Sequence, residues 1–402
     1  MASESAIRAV NALTARWADT FTPAQGTVFT AAGLWPLLAL LADGADHPAR
    51  RELADALGLP PESPAAEARA LLDAMGTMPG VDAALGLWTR HELPLEPAWA
   101  TALPPHVHQL LSGDPVPDQA RLDEWARTRT DGQVDAMPTT LDDTTLLVLA
   151  SALTVRTDWI KPFQRCRIRA TSGPWRGRDI LGLSRASEQL DQIAVVGASS
   201  GRVTVLRVLG TEGVDVHLAL GEPDGSPGAV LTAAIGALGR PDSVMPGDRF
   251  PDGTPGPGLT VESITSRSDG DRLMASTIPF TVTARHNLLD HRPLFGLTTA
   301  TDASEGRFSG ISRVPLAVQA AMQAMTATFG ELGFRSSAVT GLGLFGGSAP
   351  RLRTRVREVR VTFDRPFGFL AVHRSSHLVL NAGWVSDPVD HFAGWSRSRP
   401  RT

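Results

Sequence analysis

A serine at the centre of a G-x-S-x-G pattern is the first group in this sequence that could do chemistry. The pattern runs from Gly197 to Gly201 and centres on Ser199. In hydrolases such a serine lies on a sharp turn between a strand and a helix, which exposes its hydroxyl as a nucleophile. Here residues 202–208 alternate as a strand does, so a hairpin turn is favoured. We expect no enzymatic activity, and a hydrolase that uses Ser199 is kept as a remote alternative.

Three other patterns could bind a cofactor or react. Residues 341–346 fit G-x-G-x-x-G, but Pro350 follows and no β-α-β unit surrounds them, which argues against nucleotide binding. His106 and His108 could share one strand face, yet no cysteine or acidic partner stands near them, so a surface pair is favoured over a zinc site. Cys166 lies between two arginines, which could lower its thiol pKa, but a structural cysteine is favoured. We therefore expect no cofactor and no metal.

Composition excludes several classes of partner. With 402 residues, 42% of them hydrophobic, the chain can bury a large core without disulfides or metals. A net charge of −4 is too small to favour nucleic acid or a membrane surface as a partner. Residues 1–7 lack the basic and apolar regions of a secretory signal, and no apolar stretch reaches the length of a membrane span. We expect a cytoplasmic protein, and leave open secretion by another route.

The elements that must position any site are predicted to be helices first and mostly strands later. Apolar residues at helical spacing over 7–17 predict an amphipathic helix, and the apolar run 34–41 predicts a buried one. Residues 146–155 are apolar with little alternation, which is typical of a buried central strand. The pattern predicts an α+β chain with one domain over residues 1–390. Residues 391–402 are expected to form a basic, disordered tail.

Several short motifs, in order along the chain, resemble those of the serpin family. The most informative are residues 362–369 (TFDRPFGF) and 377–388 (HLVLNAGWVSDP), which resemble the signature and the closing strand of the family's C-terminal hairpin. Weaker matches lie upstream in the family's order, at 28–30 with 34–41, 125–134, 149–153 with 159–163, 278–280 and 307–312. The ordered set covers nearly the whole chain, which makes the resemblance specific.

The resemblance implies a fold of three β-sheets with eight or nine helices and an exposed reactive loop. It also implies a function: a protease cleaves the loop and is acylated, and the loop then inserts into the large sheet as an extra strand. Insertion distorts the trapped protease. We expect a monomeric inhibitor of a serine protease, or of a cysteine protease. A non-inhibitory serpin that acts as a binding or structural protein is the alternative.

The hinge of the reactive loop is implied by residues 331–333, where glycine permits a sharp change of backbone direction. The hinge residues are Glu331, Gly333, Phe334, Arg335, Ser336, Ser337, Ala338, Val339 and Thr340. Residues 333–349 contain no proline, so the segment can insert between two strands. Phe334 and Arg335 depart from the small residue and the glutamate usual in inhibitors. Phe334 is expected to face inward once inserted, and its overpacking, about 1–3 kcal/mol, to slow insertion.

The scissile bond and the point where the sheet opens are less well defined. Counting forward from Gly333 places the bond near Gly347–Ser348, whereas counting back from Phe363 places it near Thr354–Arg355. Leu344 and Phe345 would suit a chymotrypsin- or subtilisin-like protease, and the arginines of 351–355 a trypsin-like one. The resemblance implies a sheet-opening region that includes Thr30, Ser151, Trp159 and Gln323.

Overall fold

The computed structural model describes residues 3–22, 25–59, 64–104, 107–199, 201–266, 270–302, 304, 306–335 and 354–390. The α-helices of these residues are α1 (Glu4–Ala18), α2 (Ala31–Gly44), α3 (His47–Leu57), α4 (Pro64–Gly76), α5 (Pro97–Ala102), α6 (Pro115–Arg129), α7 (Pro227–Gly239) and α8 (Arg292–Phe295). The strands are β1 (Thr27–Phe29), β2 (Val81–Arg90), β3 (His108–Leu111), β4 (Leu147–Val155), β5 (Thr157–Asp158), β6 (Gln164–Arg169), β7 (Asp179–Ser187), β8 (Ile193–Ala198), β9 (Gly201–Val208), β10 (Val214–Leu220), β11 (Val244–Pro246), β12 (Leu259–Ser266), β13 (Arg272–Thr277), β14 (Phe280–Asn287), β15 (Met322–Phe329), β16 (Gly333–Arg335), β17 (Thr354–Thr362), β18 (Phe367–His373) and β19 (Val379–Val385).

The N-terminal helices form because their sequences supply both a cap and an apolar face. The Ser3 hydroxyl accepts a hydrogen bond from the Ala6 N–H and caps α1, whose buried face includes Leu13 and Trp17. The Thr30 hydroxyl caps α2 by accepting a hydrogen bond from the Gly33 N–H. Nearly every residue of α2 is buried, as its continuous apolar run predicts. Helix α2 thereby forms the floor beneath the sheets.

The strands form a seven-stranded sheet in the order β1-β19-β18-β10-β9-β8-β11 and a five-stranded sheet in the order β12-β17-β13-β7-β6. Two smaller sheets follow, β14-β15-β16-β5 and β3-β2-β4. The two smaller sheets are joined because β5 begins two residues after β4 ends. The large sheet expected from the sequence is therefore present as two halves that meet at β4 and β5.

The C-terminal hairpin lies at the centre of the core. Strands β18 and β19 pair antiparallel, and all seven residues of β19 are buried. Continuous burial on both faces explains why these strands do not alternate between apolar and polar residues. Buried residues from nearly every element join them in one hydrophobic core. The expected α+β fold is confirmed, with eight α-helices in the described residues.

No helix in the described part of the chain is long and apolar enough to cross a membrane.

Candidate functional site

The hinge of the predicted reactive loop already forms part of a sheet. Strand β16 pairs antiparallel with β15 on one side, where Phe334 lies opposite Phe329. On the other side it pairs antiparallel with β5, where Phe334 lies opposite Thr157. The chain turns back on itself between β15 and β16, and the Gly330 N–H donates to the Gly333 carbonyl at 3.0 Å. Phe334, the central residue of β16, is therefore paired with a strand on each side.

Two aromatic residues fix the turn from the side of β5. The Trp159 indole N–H donates to the Gly330 carbonyl at 2.9 Å, and its backbone N–H donates to the Leu332 carbonyl at 2.7 Å. The Phe163 backbone N–H donates to the Glu331 carbonyl at 2.9 Å. Every carbonyl of the turn from 330 to 332 is thus held by one segment, residues 159–163. Trp159, which the sequence analysis assigned to the opening region, acts as a hydrogen-bond donor as well as a packing residue.

Two arginines support this arrangement. Arg165 forms an ion pair with Glu331 in the turn. Arg185 lies 4.8 Å from the centroid of the Phe163 ring and donates to the backbone carbonyl of Lys161. Burial lowers the pKa of Arg185 to about 10, which leaves its guanidinium charged at neutral pH. The segment that holds the turn is therefore itself held by a buried cation.

The phenyl ring of Phe334 is part of the core, which corrects one expectation from the sequence. Its side chain is 2% exposed, and its ring lies 6.2 Å from that of Phe369, centroid to centroid. The inward direction matches the prediction. The predicted delay does not follow, because the ring occupies its core position while the loop is still intact. Overpacking at this residue is not a barrier that cleavage has to overcome.

A cavity of about 380 Å³ separates β4 from β15 below β16. In the described structure β4 pairs with β2 alone, and β15 pairs with β14 and, through its last two residues, with β16. Leucines of α2 form the floor of the cavity, among them Leu34 and Leu38. The facing edges of β4 and β15 are therefore separated by a space that an additional strand could occupy.

The opening region contains a hydrogen-bonded pair that lines this cavity. The Gln323 side chain accepts from the Thr30 backbone N–H and donates to the Thr30 carbonyl, both at 2.9 Å. The Thr30 hydroxyl donates to the Leu380 carbonyl. Ser151 lines the same cavity from β4, the strand on its other side. The structure thus joins two of the predicted residues by hydrogen bonds and places the third across the cavity.

A histidine that the sequence analysis did not select extends this network. His286 of β14 lies opposite Gln323 of β15, and its Nε2 donates to the Val28 carbonyl at 2.9 Å. Its ring packs 5.3 Å from that of Trp17, centroid to centroid. Burial lowers the pKa of His286, so the neutral ring is favoured. The alternation of β14, which places residue 286 on the same face as Phe280, was the signal in the sequence that could have identified it.

The candidates for the scissile bond are only partly described. Residues 336–353, which include Leu344, Phe345, Gly347 and Ser348, lie outside the described residues. Thr354 and Arg355 begin β17, where they lie opposite Ser266 and Thr265 of β12. The Arg355 side chain is exposed.

The structure also shows the environment of the other residues that the sequence analysis considered for catalysis or metal binding. Ser199 is exposed in the turn between β8 and β9, which pair antiparallel up to Ala198 and Gly201, so the hairpin prediction is confirmed. His108 shares a hydrogen bond with the Thr89 hydroxyl at 2.8 Å, whereas His106 lies outside the described residues. Burial raises the pKa of the Cys166 thiol, contrary to the lowering considered from its two arginine neighbours. Among the described residues, no group of three or more possible metal ligands occurs.

Comparison with known proteins agrees with this arrangement. The sequence profile described as Serpin (serine protease inhibitor) matches residues 6–172 and 261–388, well over half of the chain. The chain therefore belongs to the serpin family, whose members are generally protease inhibitors and not enzymes. A search of curated proteins gave no significant match.

Solved structures show the same fold at low sequence identity. The thermophilic serpin tengpin in its native state gives a TM-score of 0.73 at 13% identity, over 95% of this chain and 94% of that one. Human thyroxine-binding globulin complexed with its hormone gives 0.70 at 17%, over 96% and 99% of the two chains. Mouse protein-Z-dependent protease inhibitor gives 0.68 at 12%, over 96% and 97%. The chain thus spans nearly the full length of each.

Proposed function

We propose that this serpin inhibits a serine protease, or a cysteine protease, by inserting its cleaved loop into the cavity between β4 and β15. The observation that carries the proposal is the position of β16 at one end of the cavity. The chain leaves β16 at Arg335, one residue after Phe334, which is paired on both sides, and continues into residues 336–353. A strand that grew from β16 in the same direction would enter the space between the two exposed strand edges.

The register of β16 predicts which loop residues would face the core. Continued without a bulge, the pairing puts Thr340 opposite both Gln323 of β15 and Ser151 of β4. Ser336, Ala338 and Thr340 would then share the inward face with Phe334. These side chains are small, so they can enter a cavity with a buried apolar floor without overpacking. The sequence of the loop therefore fits the shape of the space.

The pairing of β17 favours one of the two windows proposed for the scissile bond. A protease binds the residues around the bond as an extended strand, which requires free backbone groups. Thr354 and Arg355 are paired with β12. We therefore favour the bond near residues 344–348, where Leu344 and Phe345 suit a chymotrypsin- or subtilisin-like target. The monomeric state and the cytoplasmic location stay predictions.

The test is incubation of the purified protein with a panel of serine and cysteine proteases, read on a denaturing gel. An inhibitor gives a band near the summed mass of the two proteins, with the protease joined to the N-terminal part of the loop. Cleavage without such a band with every active protease would contradict inhibition. The residue at the new C-terminus of the cleaved protein identifies the scissile bond.

A non-inhibitory serpin is the second candidate. Gly341, Gly343, Gly346 and Gly347 favour it, because glycine weakens strand formation. Thyroxine-binding globulin, which shares the fold, was solved with a small molecule bound. Thermal unfolding of the cleaved protein separates the two functions. Insertion adds a strand and raises the unfolding temperature, whereas an unchanged temperature after cleavage would favour the binding protein.

A further inference from the structure

We propose that the cavity between β4 and β15 binds a neutral single-chain amphiphile, such as a fatty alcohol, in the uncut protein. The residues that carry the proposal lie in the described structure, in α2, β4, β15 and the segment that follows α6. Binding itself does not depend on the proposed function. Its effect on inhibition rests on the proposed function, because the ligand and an inserting strand would need the same space.

The cavity reaches from one face of the sheet to the other. Leucines of α2 line it on one side, and residues within 133–140, which follow α6, line it on the other. Strand β4 separates the two sides: Leu153 belongs to the main hydrophobic core with α2, whereas Val148 and Ala150 belong to a second cluster with Leu122 of α6. At β16 the two flanking strands are one strand apart, which is about 10 Å between their backbones. An alkyl chain is narrow enough to pass through such a gap.

The side of the cavity that faces α2 is apolar. Its lining includes Leu34, Leu37, Leu38 and Leu41 of α2, with Leu149 of β4 and Met325 of β15. Leu37 and Leu149 are only half-buried, although both pack against the main core. Because an alkyl chain would remove their remaining apolar surface from water, the hydrophobic effect favours its binding on this side.

The opposite side, formed by the segment after α6, is polar. Thr139, Thr140 and Asp142 line it, and Gln133 lines it with them. The Nε2 atom of Gln133 is buried and has no hydrogen-bond partner in the described structure. A buried N–H without an acceptor costs free energy, and a ligand oxygen at this position would recover that cost. The two sides together therefore fit a molecule with one apolar end and one polar end.

The charges around the cavity select a neutral polar group. Among the described residues that line it, Asp142 is the only one with a charged side chain. A carboxylate ligand would therefore lose its hydration without gaining a cation, and it would lie near a like charge. A cationic ligand would gain little, because Asp142 is exposed and its Oδ1 already accepts from the hydroxyls of Thr144 and Thr145. A hydroxyl or an amide can accept from Gln133 without either cost.

The volume of the cavity sets the size of the ligand. About 380 Å³ lies within the range of roughly 300–1,000 Å³ that is usual for small-molecule sites. At about 30 Å³ for each water-sized group, the cavity has room for a dozen or so such groups. 1-Decanol has about this size and carries one neutral hydroxyl, so it is the probe that we choose.

Binding of 1-decanol to the uncut protein tests the proposal, with decanoate as the charged control of equal chain length. Both are titrated by calorimetry, and the unfolding temperature is followed at one fixed heating rate. We expect 1-decanol to bind at one site per chain and to raise the unfolding temperature, and decanoate to bind at least about tenfold more weakly. Equal affinity for the two, or no saturable binding of 1-decanol, would overturn the proposal.

The variant Gln133→Leu tests the position of the polar group. It removes the N–H donor and keeps a side chain of similar size, so we expect 1-decanol to bind about two- to tenfold more weakly, as the loss of one hydrogen bond gives. The matched control is Gln164→Leu, which changes an exposed glutamine on β6 and should bind as wild type does. Unchanged binding by Gln133→Leu, or equal weakening in both variants, would contradict the assignment.

Photolabelling of wild type keeps the site testable if Gln133→Leu does not fold. A decanol analogue with a diazirine on its chain should label peptides that contain residues 34–41 or 147–153, and labelling confined to other peptides would overturn the site. The effect on inhibition is read separately. Saturating 1-decanol should raise the moles of protein consumed per mole of protease inhibited, and an unchanged ratio would refute competition with insertion. If no protease forms a covalent complex even without 1-decanol, the proposed function fails, while saturable binding and labelling would still support the site.

Discussion

Replacing Phe334 by threonine tests whether the hinge is docked before cleavage. Strand β16 lies between β15 and β5, and the buried ring of Phe334 lies close to the ring of Phe369. Removing a buried aromatic ring costs about 3–5 kcal/mol. The threonine hydroxyl adds the cost of a polar group in an apolar site. Most of the burial that holds β16 between its neighbours would be lost.

We expect two measurable effects of Phe334→Thr. For a chain of this length, a loss of about 3–5 kcal/mol lowers the unfolding temperature by roughly 4–6 °C. The measurement needs one fixed heating rate, because a serpin's stability is expected to be kinetic. The hinge would also have to re-enter the sheet before insertion could proceed. Insertion would then start later, and more protein would be consumed as substrate per protease inhibited.

The control is Phe334→Leu, which keeps an apolar side chain in the same site. It should fall between wild type and Phe334→Thr in both measurements. The reasoning would be refuted if Phe334→Thr kept the wild-type unfolding temperature, or if it consumed less protein per protease inhibited. The second result would restore the expectation from the sequence, in which the ring delays insertion.

Three further predictions follow from the site and its surroundings. Trp159→Phe removes the donor to the Gly330 carbonyl, a loss that costs about 1–3 kcal/mol, so we expect a lower unfolding temperature than that of wild type at the same fixed heating rate, and an unchanged temperature would contradict that bond. Limited proteolysis of wild type should cut first within residues 345–355, and a first cut within 251–257 would contradict the assignment of the reactive loop. Burial lowers the pKa of His217 to about 4, so the unfolded chain takes up the proton first as the pH falls. The unfolding temperature should therefore fall between pH 6.5 and pH 4, and His217→Gln should flatten that dependence; a steep fall in the variant would assign the effect to other groups.

Local patterns in the sequence were sufficient to predict much of the fold. The C-terminal hairpin could be predicted because its two apolar runs are joined by a short polar turn, and both strands formed where expected. The helix α2 could be predicted from a continuous apolar run that only a fully buried helix or strand can satisfy. The hairpin could be predicted because its strands are close in sequence, and α2 because its composition alone requires burial.

The pairing of β12 with β17 could not be predicted in this way. About ninety residues separate the two strands, and the exposed residues of β12 fit an edge strand beside many possible partners. The position of Phe334 shows a related limit. Alternation gave the direction of its side chain correctly, but it could not show that a space for the ring exists while the loop is intact, because that space is formed by Phe369 and Thr157 from distant segments.

The two ends of the loop are held in different ways, and the difference explains why cleavage could act as a trigger. At the N-terminal end, β16 is already paired with β15 and β5. A strand that extends from β16 into the cavity therefore needs no separate nucleation step. At the C-terminal end, β17 is paired with β12 on one side and with β13 on the other. The facing edges of β4 and β15 meanwhile remain available for pairing across the cavity. Cutting the bond near residues 344–348 would release the descending half from β17 without disturbing either sheet. The free energy of pairing would then become available when the protease is covalently attached, which is the moment at which inhibition requires it.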